Sequence, residues 1–190
     1  MFYRTACSVW KRLRNGRLLR SDDGVQLLEF ALMLPLLVAL FIGIVDFTQA
    51  YTLKHNLVNA AREAARITVS NPVTSLTCSS PTPCSIQAAA DAAKQYLVNA
   101  QMNAANCLNP ASPSGSGTLT WTYSCNGVTL TINRSFIFTG AGSMVVPSTQ
   151  VTLSYPYTWT FGRIIGLLVP GATVTLPTTL TTTFVMQNLV

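Results

Sequence analysis

From Val25 to Val45 the chain carries apolar side chains almost without interruption, and beyond Asp46 the apolar positions become periodic. The run VQLLEFALMLPLLVALFIGIV has 21 residues. As a helix rising about 1.5 Å per residue it spans roughly 31 Å, one hydrocarbon core. A cleaved secretory signal has a shorter apolar core, about 7–15 residues, and a small-residue cleavage site. Here DFTQAYT follows instead, which predicts a permanent span. In the next stretch Leu53, Leu57, Ala60 or Ala61, Ala64 and Ile67 recur every three or four positions, the spacing of one helical face. Lys54, Arg62, Glu63 and Arg66 occupy the other faces. Asn71-Pro72 ends the pattern, because proline disfavours helix in the residue before it. The two segments together predict one rod of about fifty residues, half in lipid and half amphipathic.

A Ser/Thr/Pro loop from Val73 to Pro83 comes next. Ser85 is a candidate cap for a second helix, whose apolar stripe holds Ile86, Ala89, Ala90, Ala93, Leu97, Ala100 and Ala104. So many alanines imply close packing, with the first rod as the natural partner. Asn109 to Gly117 reads as a linker. Leu119, Trp121, Tyr123 and Cys125 then alternate with polar residues, Asn126-Gly127 is a favoured hairpin turn, and Val128, Leu130 and Ile132 resume the alternation. Val151, Leu153, Tyr155, Tyr157, Trp159 and Phe161 predict a further strand, with an edge or bend at Pro156. Phe161 to Val169 is a short apolar connector. Its Gly162 and Gly166 have the spacing of helix-dimer motifs, but nine residues cannot cross a bilayer, so a packed loop or helical turn is expected. Threonine-rich strands at Thr173–Leu176 and Thr179–Met186 close an α+β chain.

Charge changes this picture in one respect. The net +6 looks like a nucleic-acid signal until it is divided along the chain. Before Val25 six basic residues face two acidic ones; from Val25 onward six face four. The basic excess is thus a short arm beside the apolar run, and no nucleic-acid partner is expected. Because Lys and Arg are retained in the cytoplasm, the N-terminus is expected inside and residues from about 46 onward outside. Charged residues are only 9% of the chain, as expected of a protein partly in lipid.

The cysteines agree with that orientation. Cys7 stands alone on the reducing side, while Cys78, Cys84, Cys107 and Cys125 form an even set where disulfides persist. Four cysteines allow three pairings. We favour Cys78–Cys84, closing the SSPTP loop, with Cys107–Cys125 closing the Ser/Gly/Pro loop. A zinc site is disfavoured, since no CxxC occurs and the single histidine, His55, is distant in sequence. No metal or cofactor is expected.

The start of the apolar run is the most informative place. It reads Gly24-Val25-Gln26-Leu27-Leu28-Glu29-Phe30, directly after the basic leader. Glu29 is the odd residue, because a carboxylate at mid-bilayer costs roughly 2.5–3.5 kcal/mol, and less near the interface. A cut after Gly24 would make Val25 a charged N-terminus with Glu29 one helical turn inside. The amine of one subunit then neutralises the carboxylate of a neighbour. The alternative is that Glu29 reaches the headgroups or takes up a proton. Pro35 leaves the Ala31 carbonyl without its usual donor; it either loosens the span or is simply tolerated. Asp46 marks the interface.

The leader followed by GVQLLEFALMLPLLVALFIGIVDF and LVNAAREAARI resembles the TadE-like family, minor pilins or pseudopilins of the tight-adherence (Flp-type) pilus system. The likeness is specific over about residues 20–70 and looser over 149–186, where VTLSYPYTW and the closing strand are similar to that family's C-terminal region. The middle, with its four cysteines, is unmatched. The resemblance implies that Gly24 precedes the cut made by a prepilin peptidase, that Val25 becomes the N-terminus, and that Glu29-Phe30 is the recognised pair. Pro35 falls at the spacing the family expects. Other pilin or pilus-assembly subunits, met through the N-terminal helix, and the membrane are the implied partners.

An enzyme is not expected. Beyond the span the chain offers one histidine and the acids Asp46, Glu63 and Asp91, with no paired carboxylates, nucleophile elbow or phosphate loop. His55 on the rod reads as solvated or packed, and Asn133-Arg134-Ser135 is a sequon of a kind common by chance. The expected organisation is a cytoplasmic leader (1–24), a transmembrane helix (25–45), its amphipathic continuation (46–71) and an extracytoplasmic α+β domain (72–190), anchored once in the inner membrane. Two functions fit. One is a minor pilin or pseudopilin cut after Gly24; the other is a membrane-tethered binding or adhesion module that is not cut.

Overall fold

The apolar run and the periodic segment after it form one helix, α1 (Asp22–Ser70), 49 residues long and continuous through Pro35. The structure, a computed structural model, describes residues 22–70, 82–117, 119–139, 145–168, 171 and 175–188. Asn71-Pro72, expected to end the helix, and Cys78 lie outside these. Among the described residues α1 is the one helix long and apolar enough to cross a membrane. Between Val25 and Val45 all its large apolar side chains but the half-buried Ile42 stay exposed, with Leu27 and Leu32 at 73% and Phe41 at 67%. A core helix of a soluble domain would bury them. The chain divides into two compact units, Met1–Asp46 with Thr160–Thr175, and Phe47–Trp159 with Leu176–Val190.

In the second unit the fold is α+β. After α1 come α2 (Cys84–Asn99), a 3₁₀ helix (Asn103–Cys107) and the strands β1 (Gly115–Gly117), β2 (Thr120–Cys125), β3 (Val128–Thr139), β4 (Val145–Pro156) and β5 (Thr179–Gln187). The strands form one antiparallel sheet in sequence order, β1-β2-β3-β4-β5. Each strand pairs with its neighbour in sequence, and the β2–β3 hairpin turns at Asn126 (φ 48°) and Gly127 (φ 78°), the left-handed pair of a type I′ turn.

Alternation sorts the sheet into two faces. Across β2, β3 and β4 the inward row Trp121–Ile132–Val151 and the row Tyr123–Leu130–Leu153 are in register. They are buried together with Leu57, Ala60, Ala61, Ala64 and Ala65 of α1, and with Ile86, Ala89, Ala90, Ala93 and Leu97 of α2. The expected apolar faces are the observed ones as far as Ile67 on α1 and Leu97 on α2; α2 ends at Asn99, short of the expected Ala100 and Ala104, as the chain turns at Gln101 with a φ of +62°. The opposite face of the sheet is a lattice of hydroxyls. Thr122 meets Thr131, Ser124 meets Thr129, Thr152 meets Thr183 and Ser154 meets Thr181, at 2.9–3.3 Å.

Several local expectations are corrected. Leu119 is not a strand residue: its φ is +58°, costly for a branched side chain, and β2 starts at Thr120. Its carbonyl still accepts the Arg134 N–H at 2.8 Å, on the register that sets Thr120 opposite Asn133, while the chain turns there from β1 into β2. The Asn109–Gly117 linker contributes a strand, because Gly115–Gly117 pairs with β2. β4 ends at Pro156, so the strand expected to reach Phe161 stops five residues early, consistent with a ring that cannot donate to the ladder. Thr175 and Leu176 are not in a strand. Ser85 does not cap α2: Pro83 is the N-cap residue, without a side-chain cap bond. Ser85 is buried and accepts from Arg134 Nη1 at 3.3 Å.

In the first unit the connector after Trp159 is the short helix α3 (Thr160–Leu168), as its expected helical turn implied.

Candidate functional site

The residues singled out at the start of the apolar run all sit in the first turns of α1. The helix begins at Asp22, so the Gly24–Val25 bond lies in its first turn, where backbone N–H groups have no intrahelical acceptor and helices fray. Val25 and Glu29 are one turn apart and share a face. Val25 is 51% exposed and Phe30 61% exposed, and Glu29 is exposed between them. The site is thus a strip of apolar surface with one carboxylate on it. A strip of this kind offers area to lipid or to neighbouring helices and a single charge to fix their register.

The far end of the span is built differently, and sequence reading undervalued it. Asp46, taken as an interface marker, is 3% exposed. Its Oδ2 accepts the Phe161 backbone N–H at 2.8 Å, so the carboxylate caps the N-terminus of α3 and meets the positive end of that helix. One turn earlier, Gly43 makes room for the Phe161 ring: a Cβ there would lie 3.1 Å from Phe161 Cε2. The only sequence signal for this was an acid directly after the apolar run, since its partner is 115 positions away.

The cysteines fall as far as they are described. Cys107 and Cys125 form a disulfide with Cα atoms 5.9 Å apart, the favoured pairing. Cys84 is disulfide-bonded, and its favoured partner Cys78 lies outside the described residues. Among the described residues no group of three His, Cys, Asp or Glu is placed to hold a metal ion. His55 is exposed on α1.

Burial perturbs two groups in the second unit. It lowers the Arg134 pKa, the residue being 6% exposed with its guanidinium beside Ser85. It pushes the Tyr123 phenol up to about 12 from 10.0. The Tyr123 hydroxyl donates to the Pro110 carbonyl at 3.1 Å. Because the folded-state value lies above the unfolded one, the folded state holds the proton more tightly. The associated stability is complete below pH 10 and is lost as pH rises towards 12. The urea midpoint is expected to fall across that window, and Tyr123→Phe should flatten the fall. An unchanged slope in the variant would show that another group titrates.

A family model described as TadE-like protein matches residues 24–66. This is the stretch on which the sequence resemblance rested, and the match starts at Gly24. The likeness is to a TadE-like protein, over the apolar run and most of its periodic continuation. Among curated proteins and among solved structures, nothing matches the chain significantly.

Proposed function

We propose that this protein is a minor pilin or pseudopilin-like subunit of tight-adherence pilus assembly, cut after Gly24 by a prepilin peptidase. The N-terminus lies in the cytoplasm, α1 crosses the inner membrane, and the α+β domain is extracytoplasmic. Glu29-Phe30 serves as the recognised pair. After the cut, the new amine of Val25 meets Glu29 of a neighbouring subunit while the apolar strip packs helix on helix. The observation that carries this reading is the family match beginning at Gly24, on a helix whose apolar side chains are exposed. An exposed carboxylate among them is costly in lipid unless a second chain supplies its partner.

The test is the intact mass of membrane-purified protein made with and without a prepilin peptidase. With the enzyme the expected chain begins at Val25, and Glu29→Ala is expected to impair processing or assembly. A mature chain that still begins at Met1 would sink the proposal. It would favour a tethered adhesion module, the reading to which the uncharged hydroxyl face of the sheet lends support.

A further inference from the structure

The helix α3 has no part in the proposed cut or in helix-to-helix assembly, yet it is fastened to the span. We propose that α3 is an interfacial membrane helix: it lies in the headgroup layer beside α1, where the Phe161 ring packs on Gly43, turns Ile164 and Ile165 towards the acyl boundary, and holds lipid phosphate with Arg163. This rests on reading residues 25–45 as the span.

Height is the first argument. α3 is joined to α1 at Asp46 and at Gly43, by the Phe161 N–H bond and by the Phe161 ring. Asp46 is the first polar residue past the apolar run, so it marks the level where hydrocarbon ends. Gly43 lies three residues deeper, roughly 4.5 Å along the axis. Interfacial helices bury their apolar face about 5–10 Å into the headgroup boundary, and these contacts hold α3 at the shallow edge of that layer.

Composition is the second. TFGRIIGLL contains no acidic residue and one basic one. Nine residues make a helix of about 14 Å, too short to cross a bilayer but long enough to lie along its surface. Phe161, Ile164 and Ile165 follow the i, i+3, i+4 spacing of one face and are partly buried, while Arg163 is exposed. Arg163 is also the one charged residue between Ser135 and Val190. A lone cation on so apolar a segment suits an anionic headgroup, since a guanidinium forks onto phosphate oxygens.

Aromatic placement is the third. Tyr157 and Trp159 immediately precede α3, with ring centroids 4.9 Å apart. Trp159 also meets Phe47, the residue after Asp46, at 5.3 Å. The Trp159 indole N–H donates to the Pro177 carbonyl at 2.7 Å. Phe47 is 57% and Tyr51 76% exposed. Aromatic residues with one apolar side and one polar tip collect at membrane–water interfaces.

The test places the photo-crosslinker p-benzoylphenylalanine at Ile164 or Ile165 of the full-length protein in phospholipid vesicles. The same probe at Phe41 reports the span, and at Ser124 it reports the exposed sheet. Lipid adducts at Ile164 or Ile165 are expected to exceed those at Ser124 at least about tenfold and to approach those at Phe41. Adducts at Phe41 alone would overturn the proposal while leaving the span intact, whereas none at Phe41 would overturn the span itself. Crosslinks from Ile165 to a second copy of the chain, in place of lipid, would make α3 a subunit contact and overturn the lipid reading. Vesicles containing phosphatidylglycerol are expected to raise the yield about fivefold over phosphatidylcholine alone, and Arg163→Gln should remove that gain. A gain that survives Arg163→Gln would remove Arg163 from the site.

Discussion

Leu130→Ala is expected to destabilise the second unit by about 2–5 kcal/mol, the range for truncating a fully buried leucine. Leu130 is 0% exposed, and in the sheet it sits between Tyr123 on β2 and Leu153 on β4. Both neighbours belong to the same buried cluster as Leu57 of α1 and Leu97 of α2. The cavity that alanine would leave thus opens in a core built by two helices and the sheet, and such a core relaxes only partly. Thr131→Ala provides the contrast. Thr131 is the next residue on β3, faces the opposite side, and its hydroxyl meets that of Thr122 at 3.3 Å. Its loss should cost less than about 1 kcal/mol. The measurement is urea unfolding of the full-length protein in detergent, followed by the emission of Trp121, which lies in that cluster. Equal costs for the two substitutions would mean that the inward and outward faces have been assigned wrongly.

Removing the Cys107–Cys125 disulfide is expected to cost about 3 kcal/mol, the chain-entropy value for a loop of this size. The bond closes a loop with a sequence separation of 18. It ties the 3₁₀ helix after α2 to the last residue of β2, immediately before the Asn126-Gly127 turn. Without it, the chain beyond the buried Leu108 is held by the three-residue strand β1 and by hydrogen bonds that include the one from Tyr123 to Pro110. Cys107→Ser combined with Cys125→Ser should lower the urea midpoint accordingly. A reductant should reproduce the effect in the parent protein, because Cys107 is exposed. A midpoint shift in the parent under reductant that persists unchanged in the double variant would assign the effect to the bond made by Cys84.

These two positions also show which features can be read from a chain alone. Leu130 was legible because strand alternation is local: a period of two around an Asn-Gly turn assigns faces without knowledge of the partner strand. The same holds for the stripes on α1 and α2, where Leu57, Ala64, Ile86 and Ala93 are buried as their spacing implied. Locality fails where a distant group decides. Ser85 has the chemistry of a cap, but the buried guanidinium of Arg134 takes its hydroxyl, 49 positions away in sequence. Leu119 continues a perfect alternation and yet leaves it with a φ of +58°, in the short connection where the chain turns from β1 into β2. The early end of β4 was signalled by Pro156, although side-chain alternation continued past it.

By itself, then, the sequence determined a long apolar helix opening on Gly24 and Glu29, its amphipathic continuation, an alanine-faced second helix and an antiparallel β region. Each follows from periodicity and side-chain chemistry within a few residues, which no tertiary contact needs to supply. Only the tertiary structure decided that Asp46 caps α3, that Gly43 receives the Phe161 ring, and that a glycine-rich linker adds a strand to the sheet. In each case the deciding partner is another segment of the chain, and a hydrogen bond or ring contact across such a separation leaves no local periodicity to read.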